Sequence, residues 1–162
     1  MRRCFWAWAE VLLAATVLLL IAQQPSIIDT LTGQPSPNAR LICATSSRDH
    51  AAFEEAVAAG ARVGARDAQG HSALALAALS GDTRIVERLV ELGADVNSAD
   101  NRGFTPLMYA AIHDHLQVTR ILLHHGAETS RATYSSRLSA LDLAKLNESG
   151  QVADLLSTYP SQ

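Results

Sequence analysis

Residues 93–107 read Gly-Ala-Asp-Val-Asn-Ser-Ala-Asp-Asn-Arg-Gly-Phe-Thr-Pro-Leu, and the reading of this stretch decides the fold. Asn101-Arg102-Gly103 is turn chemistry, because glycine takes a positive φ without steric cost. Thr105 stands where a helix N-cap belongs, with a hydroxyl able to accept from a free backbone N–H. Pro106 follows at the first helical position, where its missing donor is not needed. Leu107, Ala110 and Ala111 then recur at helical spacing, and the small alanines let neighbouring helices approach closely. After a polar break at His113-Asp114, a second helix is predicted from about Leu116 to His124. Val118, Ile121 and Leu122 share one of its faces, and Gly126 stops it in a left-handed conformation.

The same plan occurs one unit earlier. Asp67 pairs with Asp100, Gly70 with Gly103, Leu74 with Leu107 and Ala77 with Ala110, while Gly60, Gly93 and Gly126 form a triplet. Each step is 33 residues, as 103 − 70 and 126 − 93 show. A period of this length belongs to a solenoid of stacked helix pairs, in which each unit buries its apolar flank only against its neighbours.

The stretches Gly-Ala-Asp-Val-Asn at 93–97 and Gly-Phe-Thr-Pro-Leu at 103–107 resemble the two most recognisable segments of ankyrin repeats. The fold expected is an all-α ankyrin-repeat solenoid of about four helix-turn-helix repeats, at about 35–66, 67–99, 100–132 and 133–158, within a domain spanning 35–160. The outer two are degenerate, as suits repeats whose terminal faces meet water. In the first, Leu41-Ile42-Cys43-Ala44 forms the first helix and Asp49 to Ala59 the second. In the last, Ser139 and Asp142 are placed for a capping box. One departure matters: the family usually has histidine after Thr-Pro-Leu, whereas this chain has Ala75, Met108 and Asp142 there. The hydrogen bond that histidine would give the turn is missing, so somewhat softer inter-repeat loops are expected.

Ahead of the repeats, residues 1–22 place Arg2 and Arg3 before a mostly apolar stretch broken only by Glu10. That order is an export signal. It reads either as a signal peptide cut after Ala22 or as an uncleaved membrane anchor, with Trp6 and Trp8 at headgroup level. Both readings hold the N-terminus inside and send the rest across the membrane, to a periplasmic or secreted location or to an anchored one facing the non-cytoplasmic side. The membrane is touched only through this segment. Residues 23–34, with Pro25 and neighbouring Ser, Thr and Gly, read as a linker.

The whole chain carries a formal charge of −3. Without Arg2, Arg3 and Glu10 the 13 basic and 16 acidic side chains become 11 and 15. A mildly acidic surface gives phosphate backbones nothing to condense on, so nucleic acid is not an expected partner. Of the two cysteines, Cys4 lies in the export segment, which excludes a disulfide framework. Cys43 reads as a small buried hydrophobe.

Catalytic and metal chemistry find little support. His113-Asp114-His115 and His124-His125 lack the i, i+4 spacing that puts two ligands on one helix face. The run from Asp95 to Asp100 superficially resembles a calcium loop, but Ala99 occupies a ligand position and no glutamate follows. There is no Gly-x-Ser-x-Gly elbow, phosphate-cradling glycine loop or Cys-x-x-Cys pair. No catalytic residue, metal ligand or cofactor is assigned.

The resemblance implies binding on a concave surface built from the projecting turns and the outward side of each first helix. On this chain those positions are Ala68, Gln69 and His71, then Asn101, Arg102 and Phe104 at the turns. Leu79, Ser80, Ile112 and His113 are the helix positions. Leu79, Phe104 and Ile112 suggest an apolar contact patch with Arg102 as a hydrogen-bonding anchor; ordinary surface, or partial burial under the linker, is the competing reading. The function expected is a non-enzymatic scaffold of the cell envelope that binds another protein. It resembles small exported bacterial ankyrin proteins, some of which support an envelope enzyme such as a catalase. An inhibitor that neutralises a toxin or hydrolase with the same groove is the alternative.

Overall fold

The structure is a computed structural model that describes residues 35–159. The expected export segment and linker, 1–22 and 23–34, lie outside the described residues. Among the described residues there are eight helices and no strands. They run in pairs: α1 Pro37–Ser47 with α2 His50–Ala58, α3 Ala73–Ser80 with α4 Thr83–Glu91, α5 Pro106–Ile112 with α6 Leu116–His124, and α7 Ala140–Leu146 with α8 Gly150–Thr158. None is long and apolar enough to cross a membrane.

Local chemistry sets the helix starts. Asp49, Ser72, Asp82 and Thr105 each accept from the backbone N–H three residues on, those of Ala52, Ala75, Ile85 and Met108. Each such cap removes one of the orphan donors of a helix N-terminus and is worth ~1 kcal/mol. At α7 the predicted capping box forms: Ser139 accepts from Asp142 N, and the Asp142 carboxylate accepts from Ser139 N and Oγ. The cap of α8 comes from the neighbouring repeat, where Asp114 Oδ1 accepts from Val152 N at 3.3 Å.

The second helices end alike. Gly60, Gly93 and Gly126 have φ of +84°, +84° and +82°. At each, the glycine N–H and the next N–H fold back on the last turn, as in Gly93 N to Val90 O and Ala94 N to Leu89 O. This is the Schellman arrangement, which satisfies carbonyls a helix end would leave open.

The first helices α1, α3, α5 and α7 form one row in continuous side-by-side contact, while the second helices touch more sparsely. Alanine explains the closeness. Ala73, Ala75, Ala77 and Ala78 of α3, with Leu74, are essentially inaccessible, and so are Ala110 and Ala111 of α5. The second helices are one-sided: α4 buries Ile85, Val86 and Leu89 and exposes Arg84 and Glu87.

The first unit differs from the sequence reading in two ways. Its first helix begins at Pro37, well before Leu41. Cys43 is exposed, because Leu41 and Ala44, three residues apart, take the buried stripe and turn Cys43 to water.

Candidate functional site

The candidate site is the row of turns beside the first helices, and each turn is fixed by the side chain that opens it. Asp67 Oδ1 accepts from Gln69 N at 2.9 Å and His71 N at 2.8 Å. Asp100 Oδ1 accepts from Arg102 N and Phe104 N, both at 2.8 Å. In the last turn Thr133 takes the aspartate's place, its Oγ1 accepting from Leu138 N at 3.1 Å. One extra residue is accommodated there, and Arg137, with φ of +54°, occupies the left-handed position that Gly103 fills with +87°.

The turns also bond to one another. Asn101 N donates to Gln69 O at 3.4 Å and Tyr134 N to Arg102 O at 3.0 Å, so the three tips form a backbone-linked rim. The rim requires glycine beneath it. A Cβ on Gly103 would stand 2.8 Å from Tyr134 N and from Tyr134 Cδ1, and one on Gly70 would stand 2.5 Å from Asn101 Oδ1. Arg66 reinforces the first gap, its Nη1 donating to Gly70 O and Ala99 O at 2.7 Å each.

Beneath the tips lies a polar chain that sequence reasoning missed. The Asp100 carboxylate is wholly buried. Its Oδ2 accepts from Tyr109 Oη at 2.7 Å and faces His71 Nε2 at 3.5 Å and Arg102 Nε at 3.6 Å. The other nitrogen of His71, Nδ1, lies 2.6 Å from Asp67 Oδ2. One imidazole therefore bridges the opening aspartates of two successive turns. This supplies by another route the tie expected to be missing where Ala75 and Met108 replace histidine. Its signal was in the sequence as Asp67, His71, Asp100 and Tyr109, but it shows only when the two turns are stacked.

The electrostatics follow from this packing. Burial works to raise the Asp100 carboxyl, but hydrogen bonds from Tyr109 Oη and from the Phe104 and Arg102 N–H groups outweigh it and hold it below the usual carboxylate range. Asp67 behaves likewise, with His71 as the donor that overcomes burial. The Tyr109 phenol is pushed up to about 12, first by burial and then by the carboxylate it donates to. Arg102 is held more firmly in its charged form by its bond to Tyr109 Oη, at 3.0 Å, with Asp100 adding to it.

The expected contact residues divide into three groups. Gln69, Asn101 and Arg102 stand exposed at the tips, and His113 is exposed at the end of α5 with its ring stacked on His115 at 5.9 Å. Leu79, Phe104 and Ile112 are half-buried against the core, so they line the floor of the face. His71 is committed to the two aspartates, and Ser80 to the end of α3, where its Oγ donates to Ala77 O at 3.0 Å and its carbonyl accepts from Arg48. Among the described residues the large apolar side chains that do stand out are Tyr134, at 70% exposure, Leu146, at 66%, and Tyr159. Allowing for the extra residue in the last turn, Leu146 is the counterpart of Leu79 and Ile112, and Tyr134 is the counterpart of Asn101. Both lie in the degenerate last repeat, whereas the expected contact positions come from the two middle repeats.

The histidine pairs make their own contacts. His115 Nε2 lies 3.2 Å from Leu79 O, and His124 and His125 meet edge to face at 5.3 Å. Among the described residues no three His, Cys, Asp or Glu side chains converge as metal ligands would.

With this geometry in view, residues 41–133 match the family model described as ankyrin repeats in three copies. The fourth helix pair, α7 and α8, lies beyond the matched residues and repeats their architecture. No curated protein gives a significant match to the chain.

Proposed function

Because the chain belongs to the ankyrin-repeat family, whose members serve as protein-interaction modules, we propose that it is a non-catalytic scaffold of the cell envelope that holds a partner protein against its turn tips and first helices. The observation that carries this reading is the backbone-linked rim. Gln69 is tied to Asn101, and Arg102 to Tyr134, before any partner arrives, so association loses little conformational entropy on the scaffold side. The half-buried Leu79, Phe104 and Ile112 supply an apolar floor beneath polar tips, an arrangement suited to a contact surface. Arg2, Arg3 and the apolar run that follows support export across a membrane.

A photo-crosslinking residue placed at Asn101, on the rim, tests the binding face. It is expected to trap a discrete protein in the native cell, whereas the same residue at Glu87, on the exposed side of α4, is not. Equal trapping from both positions overturns the assignment. N-terminal sequencing of the recovered chain reports whether residues 1–22 are removed, and a reporter enzyme active only outside the cytoplasm, fused to the C-terminus, tests export.

A further inference from the structure

Charge is distributed unevenly over this molecule. The chain has 16 acidic side chains against 13 basic ones, yet the tips at 68–71, 101–104 and 134–138 contain no Asp or Glu. Neither do the groove-side helix ends at 79–80, 112–113 and 146–147. The formally charged residues of these segments are Arg102 and Arg137. Asp67 and Asp100, which open the turns, direct their oxygens onto backbone N–H groups, His71 and Tyr109. Other acids lie next to these segments: Asp142, in the first turn of α7, accepts from Ser139 N and Oγ, Asp82 caps α4, Asp114 caps α8, and Glu148 follows the end of α7.

Arg102 is the most prepared group on the rim. Its Nη2 donates to Tyr109 Oη at 3.0 Å, its Nε faces Asp100 at 3.6 Å, and its guanidinium sits 5.0 Å above the Phe104 ring. Even so, 64% of its side chain is exposed. A guanidinium has more N–H donors than this bracing uses, and its planar fork matches a carboxylate in two-point geometry. Bracing also removes rotamer freedom that a free arginine would lose on binding. Apolar surface lies beside it: Tyr134, bonded through its N–H to Arg102 O, lays its ring over Gly103, and Phe104 lies beneath the guanidinium.

We propose that the rim recognises a segment of the partner protein in which a carboxylate side chain stands next to an apolar one. The carboxylate takes the spare donors of Arg102, with Arg137 at the next tip adding attraction, and the apolar side chain packs on Tyr134 and Phe104. This deepens the proposed function and rests on the rim being the partner's seat. A charge-assisted contact of this kind is short-ranged and geometrically selective, and with no Asp or Glu within the tip segments themselves encounter with acidic segments is favoured.

The test uses the purified full chain and three fluorescein-labelled peptides, alternating Leu with Glu, Gln or Lys, read by fluorescence anisotropy. The Glu peptide is expected to bind about tenfold tighter than the Gln peptide, and the Lys peptide weakest, with the difference shrinking as salt is added. Arg102→Gln should remove most of the preference for Glu, and Arg102→Lys should keep a larger part of it. Tyr134→Ala should weaken the Glu and Gln peptides alike. Arg137→Gln, outside the Tyr109 bracing, should lower the Glu preference with the fold untouched, so the test survives if Arg102→Gln fails to fold by circular dichroism. Equal affinity for Glu and Gln peptides, no binding of any peptide, or a preference that survives the arginine substitutions overturns the proposal. If Tyr134→Ala weakens binding while the arginine substitutions do nothing, the rim remains the partner's seat and only carboxylate recognition falls. If none of the substitutions matters, both readings fall.

Discussion

Removing the Asp100 carboxylate is the perturbation that presses hardest on the structure. Asp100→Ala deletes the acceptor for two backbone N–H groups, at 2.8 Å each, and for Tyr109 Oη at 2.7 Å. Hydrogen bonds to a charged acceptor contribute ~1.5–3 kcal/mol each, but the two turn N–H groups are near water and regain part of this on rehydration. Counting ~1 kcal/mol for each N–H and ~1–2 for the phenol left without an acceptor, the loss should be about 3 kcal/mol. Asp100→Asn keeps an amide oxygen for the turn and forfeits the charge facing Arg102 and His71, so it should cost about half as much. Tyr109→Phe should cost ~1 kcal/mol, and the double variant with Asp100→Ala should fall short of the sum by a similar amount, because the two share one bond. Urea unfolding followed by far-ultraviolet circular dichroism, on a chain beginning at Pro35, measures all four. A loss below ~1 kcal/mol for Asp100→Ala, or strict additivity with Tyr109→Phe, would refute the view that this carboxylate ties the turn to Tyr109 of α5.

Three further outcomes follow from the same geometry. Asp67 and Asp100 have folded pKa values below their unfolded ones, so their contribution is complete above the unfolded value of about 4 and is lost as pH falls through the lowered folded values; acid unfolding of Asp100→Ala should therefore be less steep than that of the parent. Tyr109 titrates in the opposite sense, its stabilisation being full below the unfolded value of about 10 and lost as pH rises towards about 12; tyrosinate absorbance should show one late phase that Tyr109→Phe deletes. Gly103→Ala should cost more than Gly93→Ala by at least ~1 kcal/mol, because both have positive φ but only Gly103 has a neighbour's backbone, Tyr134 N, at 2.8 Å from a new Cβ; equal losses in thermal unfolding would contradict the close stacking of the tips.

Much of this architecture was legible from local chemistry. Thr105-Pro106 and the Ser139–Asp142 pair act within one turn of chain, so their capping roles follow from spacing alone. The glycines at 93 and 126 announce helix ends for the same reason. What sequence reasoning missed depends on residues far apart in the chain. His71 was read as a contact residue, yet its position between Asp67 and Asp100 exists only when one turn sits on the next. Cys43 was read as buried because its neighbours are apolar, but a helix has two sides and Leu41 with Ala44 claimed the inner one. Leu146 and Tyr134 stand out in the last described helix pair, where no described repeat packs over them, a consequence of position in the stack that their residue types do not reveal.

The stack also spreads its cohesion over successive junctions. Arg48 reaches Ser80 O and His50 Nε2 lies 3.0 Å from Asp82 Oδ2 at the first, His115 meets Leu79 O at the second, and Ser149 Oγ donates to Ile112 O at the third. At the opposite edge Asn97 joins two loops, donating to Gly126 O and accepting from Glu128 N. Every junction is thus bonded where the first helices end, and the middle one at its opposite edge as well, which keeps the tips in register.

Whether that surface is ordered ahead of its partner is best decided by residue-resolved amide hydrogen exchange on the free protein. The N–H groups of Asn101, Arg102, Phe104 and Tyr134, bound to Gln69 O, the Asp100 carboxylate and Arg102 O, should exchange far more slowly than unstructured amides and lose that protection together in Asp100→Ala. Exchange of these four at open-chain rates, with the helices still protected, would mean that the tips are loose until bound and that the rim is made by the partner.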